Sequence, residues 1–315
     1  MRALNVPAVG EHERVSDLPV PSVTAGTVLV RVTAAGLNAV DNFVAIGMLG
    51  RRWPRAFPVI LGRDAAGVVE AVGPGVTHVQ VGDEVVGTVP LATPIQAGTL
   101  AEYALMPADS VAAKPAGLDF VSAAAIPFAG AVATAAVDAV QPRPGQTVLV
   151  NGASGGVGSY AIQLAAARGA EVLATGVPGD ADRLRRLGAA MIIDYAAAPV
   201  AEQVRAAYQD GVDALIDLVA YTARTLPLAA VATGGVVASA LGAADAETLA
   251  AAGLTGGNVT GTVTAALIAR LADQAAAGTL AVDVTSVLPL DRATDGLRQL
   301  AKGEARGKIV VSIAG

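Results

Sequence analysis

Short apolar segments alternate with alanine-rich helical segments between residues 147 and 263, and this alternation constrains the fold more than any other feature. Six segments are predicted as strands: "TVLVN" (Thr147–Asn151), "EVLAT" (Glu171–Thr175), "MIID" (Met191–Asp194), "ALIDLV" (Ala214–Val219), "VVASA" (Val236–Ala240) and "NVTGTV" (Asn258–Val263). Because parallel strands are joined by right-handed crossovers, the pattern indicates an α/β fold with helices on both faces of the sheet. We therefore expect a doubly wound, six-stranded parallel sheet in this part of the chain.

The first predicted strand leads into a glycine-rich turn, "NGASGGVGS", which fits two motifs. Read from Gly152 to Gly156, it is the G-x-S-x-G elbow of a hydrolase, with Ser154 as the nucleophile. Read as Ala153-x-Gly155-x-x-Gly158, it is a turn that binds a dinucleotide at a helix N-terminus. The hydrolase needs a histidine after the serine, whereas His12 and His78 both precede it. We therefore predict a dinucleotide site formed by Ser154, Gly155, Gly156, Val157 and Gly158.

The end of the second predicted strand bears on which dinucleotide binds. Sites for NAD place a carboxylate there to hold the ribose hydroxyls, but this chain has Thr175 and Gly176. A missing carboxylate permits NADP(H), and a charge-assisted bond from Arg183 would favour its 2′-phosphate about 10–100-fold. The alternative is that Arg183 is a solvated helix charge, and Asp180 and Asp182 nearby act against phosphate binding. We expect NADP(H), with NAD(H) left open, and take Thr175 and Arg183 as cofactor-binding candidates.

The chain on either side of this region has a different pattern. "TVLVRVTAAG" (Thr27–Gly36) alternates apolar and polar residues, and short apolar runs continue to about residue 118, which predicts a β-rich domain. The uncharged stretch Phe120–Val137 has the length of a membrane span, but its many alanines and Pro127 favour a buried helix. From about Thr264 the tail contains two helical segments and the strand "KIVVSI". We expect this tail to return to the first domain.

Composition narrows the class of function. The net charge of the 315 residues is -6, with no stripe of Lys and Arg, which argues against a nucleic-acid partner. Cysteine is absent, which excludes disulfides, thiolate catalysis and cysteinyl metal sites and fits a reducing compartment. The segment "MRALNVPAVGEHERV" lacks the apolar core of a signal peptide. We expect a cytoplasmic protein that acts on a small-molecule substrate and binds neither nucleic acid nor membrane.

Four stretches together resemble a known family: "AAGLNAVD" (Ala34–Asp41), "PVILGRDAAGVVEAVGPGV" (Pro58–Val76), "GQTVLVNGASGGVGSYAIQ" (Gly145–Gln163) and "GEARGKIVV" (Gly303–Val311). They are similar to motifs of the zinc-independent quinone oxidoreductases of the medium-chain dehydrogenase/reductase superfamily. The resemblance implies a GroES-like catalytic domain (1–118, completed by 264–315) and a Rossmann NAD(P)-binding domain (119–263), with the active site in the cleft. It also implies a homodimer in which the last strand of the sheet, near Val259–Val263, pairs with its mate.

The same resemblance suggests site residues. Asn38 stands where zinc-dependent relatives carry Cys, and Arg63-Asp64 stand where they carry His-Glu, so no metal is expected because an amide and a guanidinium do not form a tetrahedral zinc site. Asn38 and Asp41 are implied as catalytic residues at the nicotinamide end of the cleft, although such residues also bind nearby backbone groups. Further implied cofactor-binding residues, with packing or surface charge as the alternative, are Tyr195, Gly242, Arg306 and Lys308.

The function implied is an NADPH-dependent quinone oxidoreductase or enone reductase. Hydride would pass from NAD(P)H to a quinone or an α,β-unsaturated carbonyl without zinc, because the developing negative charge is already delocalised. One alternative is an enoyl reductase of polyketide or other natural-product biosynthesis. Another is an NADPH-binding protein with little catalysis, for which Val132 and Phe43 leave room, since relatives often have Thr and some have Tyr at these two positions.

Overall fold

The structure is a computed structural model that describes residues 1–313, apart from the side chain of Arg52. The chain divides into two compact units. The first unit consists of Met1–Ala129 and the chain from Val263 onward, and the second consists of Gly130–Thr262.

The N-terminal part of the first unit is built mainly of strands. Its strands are β1 (Arg2–Val6), β2 (Arg14–Asp17), β3 (Thr27–Gly36), β4 (Val59–Ile60), β5 (Asp64–Val72), β6 (Glu84–Thr88), β7 (Tyr103–Pro107) and β8 (Val111–Ala113). The helices up to the unit boundary are α1 (Ala39–Ile46), α2 (Phe120–Ala124) and α3 (Pro127–Val140), the last of which continues into the second unit.

The second unit alternates strands and helices. Its remaining elements are β9 (Thr147–Asn151), α4 (Gly156–Ala167), β10 (Glu171–Thr175), α5 (Ala181–Arg186), β11 (Ala189–Ile193), α6 (Val200–Ala207), β12 (Val212–Asp217), β13 (Val231–Ser239), α7 (Ala246–Ala251) and β14 (Thr255–Asn258). The tail of the first unit then adds α8 (Ala265–Ala276), β15 (Val284–Pro289), α9 (Ala293–Ala301) and β16 (Lys308–Ser312).

The second unit forms one parallel sheet in the order β11-β10-β9-β12-β13-β14. This is the strand order of a doubly wound Rossmann sheet, so the predicted six-stranded parallel sheet is confirmed. The central strand β9 is buried along its whole length, which explains why its sequence is an apolar run rather than an alternation. β9 and β10 have the predicted bounds, whereas β13 starts earlier, at Val231.

The last strand of this sheet differs from the prediction. The β-branched run Asn258–Val263 was expected to form it, but the strand is the glycine-rich segment Thr255–Asn258. A Cβ at Gly256 would lie 2.0 Å from the carbonyl oxygen of Val237, so the close approach to β13 requires glycine. The predicted strand at Asn258–Val263 is therefore wrong beyond Asn258, and the edge strand starts three residues earlier than predicted.

The uncharged stretch Phe120–Val137 also differs from the prediction of one helix. It forms α2 and most of α3, which are separated before Pro127. Proline has no N–H and its fixed φ suits the first turn of a helix, so it starts α3 rather than continuing α2. Within residues 1–313, no helix has the length and apolarity that crossing a bilayer requires.

The first unit is centred on β3. One edge of β3 pairs with β5 along most of its length, while the other edge pairs with β7 at Thr27–Arg31 and with β16 at Ala34–Gly36. All of these pairings are antiparallel, and β15 then pairs parallel to β16. The tail helices were predicted, but β15 was not. Leu297 of α9 belongs to the same buried cluster as Leu4 and Val30.

Candidate active site

The predicted dinucleotide turn connects β9 to α4. Gly152 has φ of 89°, a left-handed conformation that favours glycine. A Cβ at Gly158 would lie 2.4 Å from the carbonyl oxygen of Gly152, so glycine there lets α4 pack directly on the turn. Gly155 has open space, since its Cβ would meet only the Gly152 oxygen at 3.6 Å. The turn therefore combines a tight approach at Gly158 with room for a ligand at Gly155.

The start of α4 has the electrostatics of an anion site. Gly155 is the N-cap residue of α4, and no described side chain caps this helix end. The N–H groups of the first helical turn have no partner within the helix, and they lie at the positive end of the helix dipole. Residues Gly155, Gly156 and Val157 are partly exposed. A pyrophosphate fits these donors without any side chain of its own.

Other predicted cofactor residues lie at the same edge of the sheet. The strands are parallel, so their carboxyl ends share one edge, where α/β proteins bind their ligands. Thr175 ends β10, Tyr195 follows β11, and Gly242 follows β13. The Tyr195 ring is about half exposed, and Gly242 has φ of 87° with open space around its Cβ position. The structure thus places the glycine turn and these three residues at the same edge of the sheet.

Thr175 supports the turn. Its hydroxyl accepts a hydrogen bond from the N–H of Gly152 at 2.8 Å and lies 3.4 Å from the carbonyl oxygen of Val150. The side chain is buried. A threonine at the end of β10 therefore ties this strand to the first residue of the glycine turn.

Ser154 and Arg183 both contact Asp180, the residue whose charge was expected to act against phosphate binding. The Ser154 hydroxyl donates to Asp180 Oδ2 at 2.7 Å, and Arg183 Nη2 donates to the Ser154 carbonyl oxygen at 3.1 Å. Arg183 Nη2 also lies 3.4 Å from Asp180 Oδ1. We call Ser154, Asp180 and Arg183 the Asp180 clasp, since they connect the glycine turn to the segment after β10.

The sequence did not lead us to predict a hydrogen-bonded group of polar residues at the same carboxyl edge, formed by Asn151, Asp217 and Ser239. Asp217 of β12 is fully buried and accepts hydrogen bonds from Asn151 Nδ2 at 2.8 Å, from Ala220 N at 3.0 Å and from Ser239 Oγ at 3.4 Å. Burial raises the pKa of Asp217, while these bonds oppose the rise. The signal was available, because β9, β12 and β13 each end an apolar run with a polar residue.

The two predicted catalytic residues lie in the first unit, inside a buried polar cluster. Asn38 Nδ2 donates to Asp64 Oδ2 at 2.9 Å, and Asn38 Oδ1 accepts from Lys308 Nζ at 2.7 Å. Lys308 also donates to the carbonyl oxygen of Leu37 at 2.8 Å. Both polar atoms of the Asn38 amide are thus engaged by charged neighbours, one of which comes from the other end of the chain.

Asp64 links this cluster to a helix. Both of its carboxylate oxygens lie 3.1 Å from the N–H of Phe128, in the first turn of α3. A carboxylate there is stabilised by the helix dipole. Burial nevertheless raises the pKa of Asp64 and lowers that of Lys308, while the attraction between the two groups opposes both shifts.

Asp41 and Arg63 complete the cluster. Asp41 is fully buried, and its Oδ2 accepts from the Asn38 N–H at 2.8 Å at the start of α1. Its Oδ1 lies 3.9 Å from Arg63 Nε, and neither atom has a hydrogen-bond partner among the described residues. Burial raises the pKa of Asp41 to about 6, against the attraction of Arg63. The cluster therefore contains two carboxylates, Asp41 and Asp64, and two cationic side chains, Arg63 and Lys308, whose charges offset one another.

Arg306 and Lys308 were predicted together but have different surroundings. Lys308 is buried in the cluster, whereas Arg306 is partly exposed and its Nη1 donates to the carbonyl oxygens of Gly303 and Ala305 at 3.1 and 3.2 Å. Arg306 thus binds the carbonyls of its own loop.

Comparison with known proteins places the chain in a family. Residues 24–116 match the family described as "Alcohol dehydrogenase GroES-like domain", and residues 187–311 match "Zinc-binding dehydrogenase". A crystal structure of an NAD-dependent alcohol dehydrogenase superposes with a TM-score of 0.88 at 32% identity, and the match covers 100% of both chains. The chain belongs to the medium-chain dehydrogenase/reductase superfamily. This is the superfamily that its motifs resemble.

Two further proteins that are similar to this chain have names that state an activity. The structure of the quinone oxidoreductase from Coxiella burnetii has a TM-score of 0.87 at 25% identity and covers 100% of this chain and 99% of that one. The 2-methylene-furan-3-one reductase of Solanum lycopersicum is 38% identical over 185 residues, which are 57% of this chain and 47% of the relative. The chain spans about half the length of the first curated relatives it matches.

The residues of the buried cluster do not fit a zinc ion, although one matching family is named for zinc. Zinc sites in proteins use thiolate, imidazole and carboxylate ligands. Here an ammonium and a guanidinium neutralise the two carboxylates, and the Asn38 amide already bonds to Lys308 and Asp64. No group of three or more His, Cys, Asp or Glu residues in the described part of the chain is arranged to hold a metal. The glycine turn, in contrast, fits the pyrophosphate of a dinucleotide.

Proposed function

We propose that this chain is an oxidoreductase that uses NAD(P)H, with NADPH as the expected donor, to reduce a quinone or the C=C bond of an α,β-unsaturated carbonyl without zinc. The observation that carries the proposal is the glycine turn at the carboxyl edge of the parallel sheet, where Gly155 leaves room for a ligand and α4 presents its N-terminus. A bound nicotinamide dinucleotide would supply the hydride.

The residues of the chain contribute binding and positioning. The N–H groups at the start of α4 hold the pyrophosphate, and Thr175 keeps the turn in place through the Gly152 N–H. Asn38 cannot rotate freely, because its two amide atoms are held by Asp64 and Lys308. A fixed neutral amide orients a partner without adding charge, which suits a hydride transfer that depends on alignment.

The class of acceptor follows from the cluster chemistry. Oxidation of a simple alcohol needs a Lewis acid or a base to stabilise an alkoxide. In this chain the positions that hold zinc ligands in zinc-dependent relatives carry an amide and a self-neutralised ion cluster. Quinones and enones need less assistance because they delocalise the negative charge themselves. Since Asp41 and Asp64 are buried and hydrogen-bonded, water is the proposed source of the proton.

The test is a substrate screen with purified protein. NADPH and NADH are each mixed with 1,4-quinones, enones, enoyl thioesters and simple aldehydes, and loss of reduced-nicotinamide absorbance is followed. Turnover of quinones or enones with no turnover of aldehydes is the expected result. A much higher rate on enoyl thioesters would select an enoyl reductase instead. Tight NADPH binding with no turnover in the whole panel would indicate a nucleotide-binding protein.

The proposal includes a homodimer located in the cytoplasm. β14 forms the edge of the described parallel sheet opposite β11, so the pairing expected from the resemblance would use Thr255–Asn258 rather than Val259–Val263. Sedimentation equilibrium should give twice the mass of the 31.0 kDa chain. Substituting lysine for Gly257, which has open space around its Cβ position, adds a charge at this edge strand and should then give a monomer.

A further inference from the structure

The Asp180 clasp has a feature that ordinary helix capping does not explain. Asp180 is the N-cap residue of α5, where an aspartate usually accepts hydrogen bonds from its own helix. No such bond forms here. The carboxylate instead accepts the Ser154 hydroxyl, and the side chain is about nine-tenths buried. The acid is therefore held against the glycine turn.

The clasp also lies beside the end of β10. A Cβ built on Gly176 would lie 3.4 Å from Ser154 Oγ and 3.7 Å from Asp180 Cβ. In Rossmann proteins this is where a carboxylate selects the ribose hydroxyls of NAD, or where an arginine accommodates the 2′-phosphate of NADP. The acid missing from the strand end is thus supplied by the segment that follows it.

The charges of the clasp determine whether it favours a 2′-phosphate or a 2′-hydroxyl on the nucleotide. The Arg183 guanidinium contacts both the Asp180 carboxylate and the Ser154 carbonyl oxygen. The side chains of Arg185 and Asp182 are exposed and pair with each other. A 2′-phosphate would approach a carboxylate and would compete with it for Arg183. A 2′-hydroxyl meets no such competition and can donate to the carboxylate.

We infer that Asp180 is the specificity-determining residue for the nucleotide, and that it restrains the preference for NADPH by occupying Arg183 and repelling the 2′-phosphate. This inference rests on the proposed use of NAD(P)H. In the native chain Asp180 therefore lowers the NADPH:NADH affinity ratio. Neutralising Asp180 releases Arg183 for the phosphate.

The experiment measures binding, independently of turnover. Dissociation constants of NADPH and NADH are determined by titration calorimetry for the native chain and for Asp180→Asn, which can still accept the Ser154 hydroxyl. We expect the NADPH:NADH affinity ratio to rise at least about tenfold, equivalent to about 1.4 kcal/mol. Asp182→Asn, two residues away, is the matched control and should leave the ratio within about twofold.

Two further variants separate the charge effect from a structural one. Arg183→Gln should lower the ratio below the native value, because the carboxylate is then unopposed. Asp180→Asn combined with Arg183→Gln should lose the gain of the single variant. Circular dichroism and the thermal midpoint confirm that each variant is folded.

The outcomes distinguish this inference from the proposed function. If the native chain binds either nucleotide but Asp180→Asn leaves the ratio unchanged, or changes it no more than Asp182→Asn, the inference is wrong while nucleotide binding stands. If the native chain binds neither nucleotide, both are wrong.

Discussion

At the scale of single residues, the buried cluster of the first unit depends on charges that come from distant parts of the sequence. Lys308 and Asn38 are 270 positions apart and bond at 2.7 Å. From local sequence alone, Lys308 would be predicted to be a surface lysine and Asn38 an asparagine that bonds to the backbone near a turn. The family resemblance indicated that both residues were of interest. The fold shows that the Lys308 ammonium bonds to the Asn38 amide and offsets the charge of Asp64, which bonds to the same amide.

Removing the Lys308 ammonium should be costly. Lys308→Met is similar in length but takes this donor from Asn38 Oδ1 and the Leu37 carbonyl, and it removes the cation whose attraction opposes the raised pKa of Asp64. Leaving a buried carboxylate short of its compensating charge typically costs about 3–5 kcal/mol, and we expect that loss in urea unfolding. The exposed Lys302→Met is the matched control and should change stability by less than about 0.5 kcal/mol.

The identity of the cause can be checked with a second variant. If the cost reflects an unpaired buried carboxylate, adding Asp64→Asn to Lys308→Met should restore part of the lost stability. A double variant that is as unstable as the sum of the two single variants would argue against this account.

Asp41 gives the folded chain a defined pH dependence. Its pKa is about 6 in the fold against an ordinary value of 3.8, because burial penalises the charged form. Between these values the folded state holds more protons than the unfolded state, so this group's contribution to stability is fully present below about pH 4 and is lost as pH rises through about 6. The change is about 3 kcal/mol at 1.36 kcal/mol per unit.

Unfolding measured in urea from pH 4 to pH 7 tests this sign. Asp41→Asn cannot ionise, so the difference in stability between the variant and the native chain should move in favour of the variant as pH rises. A difference for Asp41→Asn that is flat, or that moves toward the native chain, would contradict the raised pKa.

At the scale of elements, the strands that are buried on both faces were predictable and the edge strand was not. β9 and β10 have the predicted bounds because a strand in the middle of a parallel sheet must be a short apolar run. β14 lies at the edge, where pairing with β13 needs the absence of a side chain at Gly256 rather than apolarity. Propensity therefore favoured the neighbouring β-branched run, which has no strand partner beyond Asn258.

The β9–α4 connection allows a matched test of the glycine turn. Gly155 has φ of −82° and open space, so Gly155→Ala should fold normally and bind nucleotide with at most a few-fold loss. Gly155→Asp should also fold, but it places a carboxylate at the proposed pyrophosphate site, and we expect a loss of NADPH affinity of at least about 100-fold. Calorimetry on both variants decides. Equal binding by the two would show that the phosphates lie elsewhere.

At the scale of the whole molecule, the chain makes its first unit from both of its ends. β16 pairs with β3, α9 enters the same core, and Lys308 neutralises a cluster whose other members lie before residue 65. The sequence suggested the return of the tail because its elements did not continue the strand–helix alternation. It could not indicate the register of β16 on β3, because a pairing over more than 200 residues leaves no local periodicity to read. It also did not indicate β15, which lies at the edge of the sheet beside β16.

This topology means that the last residues of the chain should control the stability of the first ones. Val310 is fully buried in β16 opposite Gly36 of β3, so Val310→Asp places an unpaired charge in the core of the first unit. We expect a loss of at least about 3 kcal/mol. Hydrogen exchange should show reduced protection in β3 and β5 and native protection in β9 and β10. Val287→Asp, at a half-exposed position of β15, should leave all four strands protected as in the native chain. Because β9 and β10 take all their sheet partners from the second unit, a loss of protection there equal to that in β3 would show that the two units unfold as one.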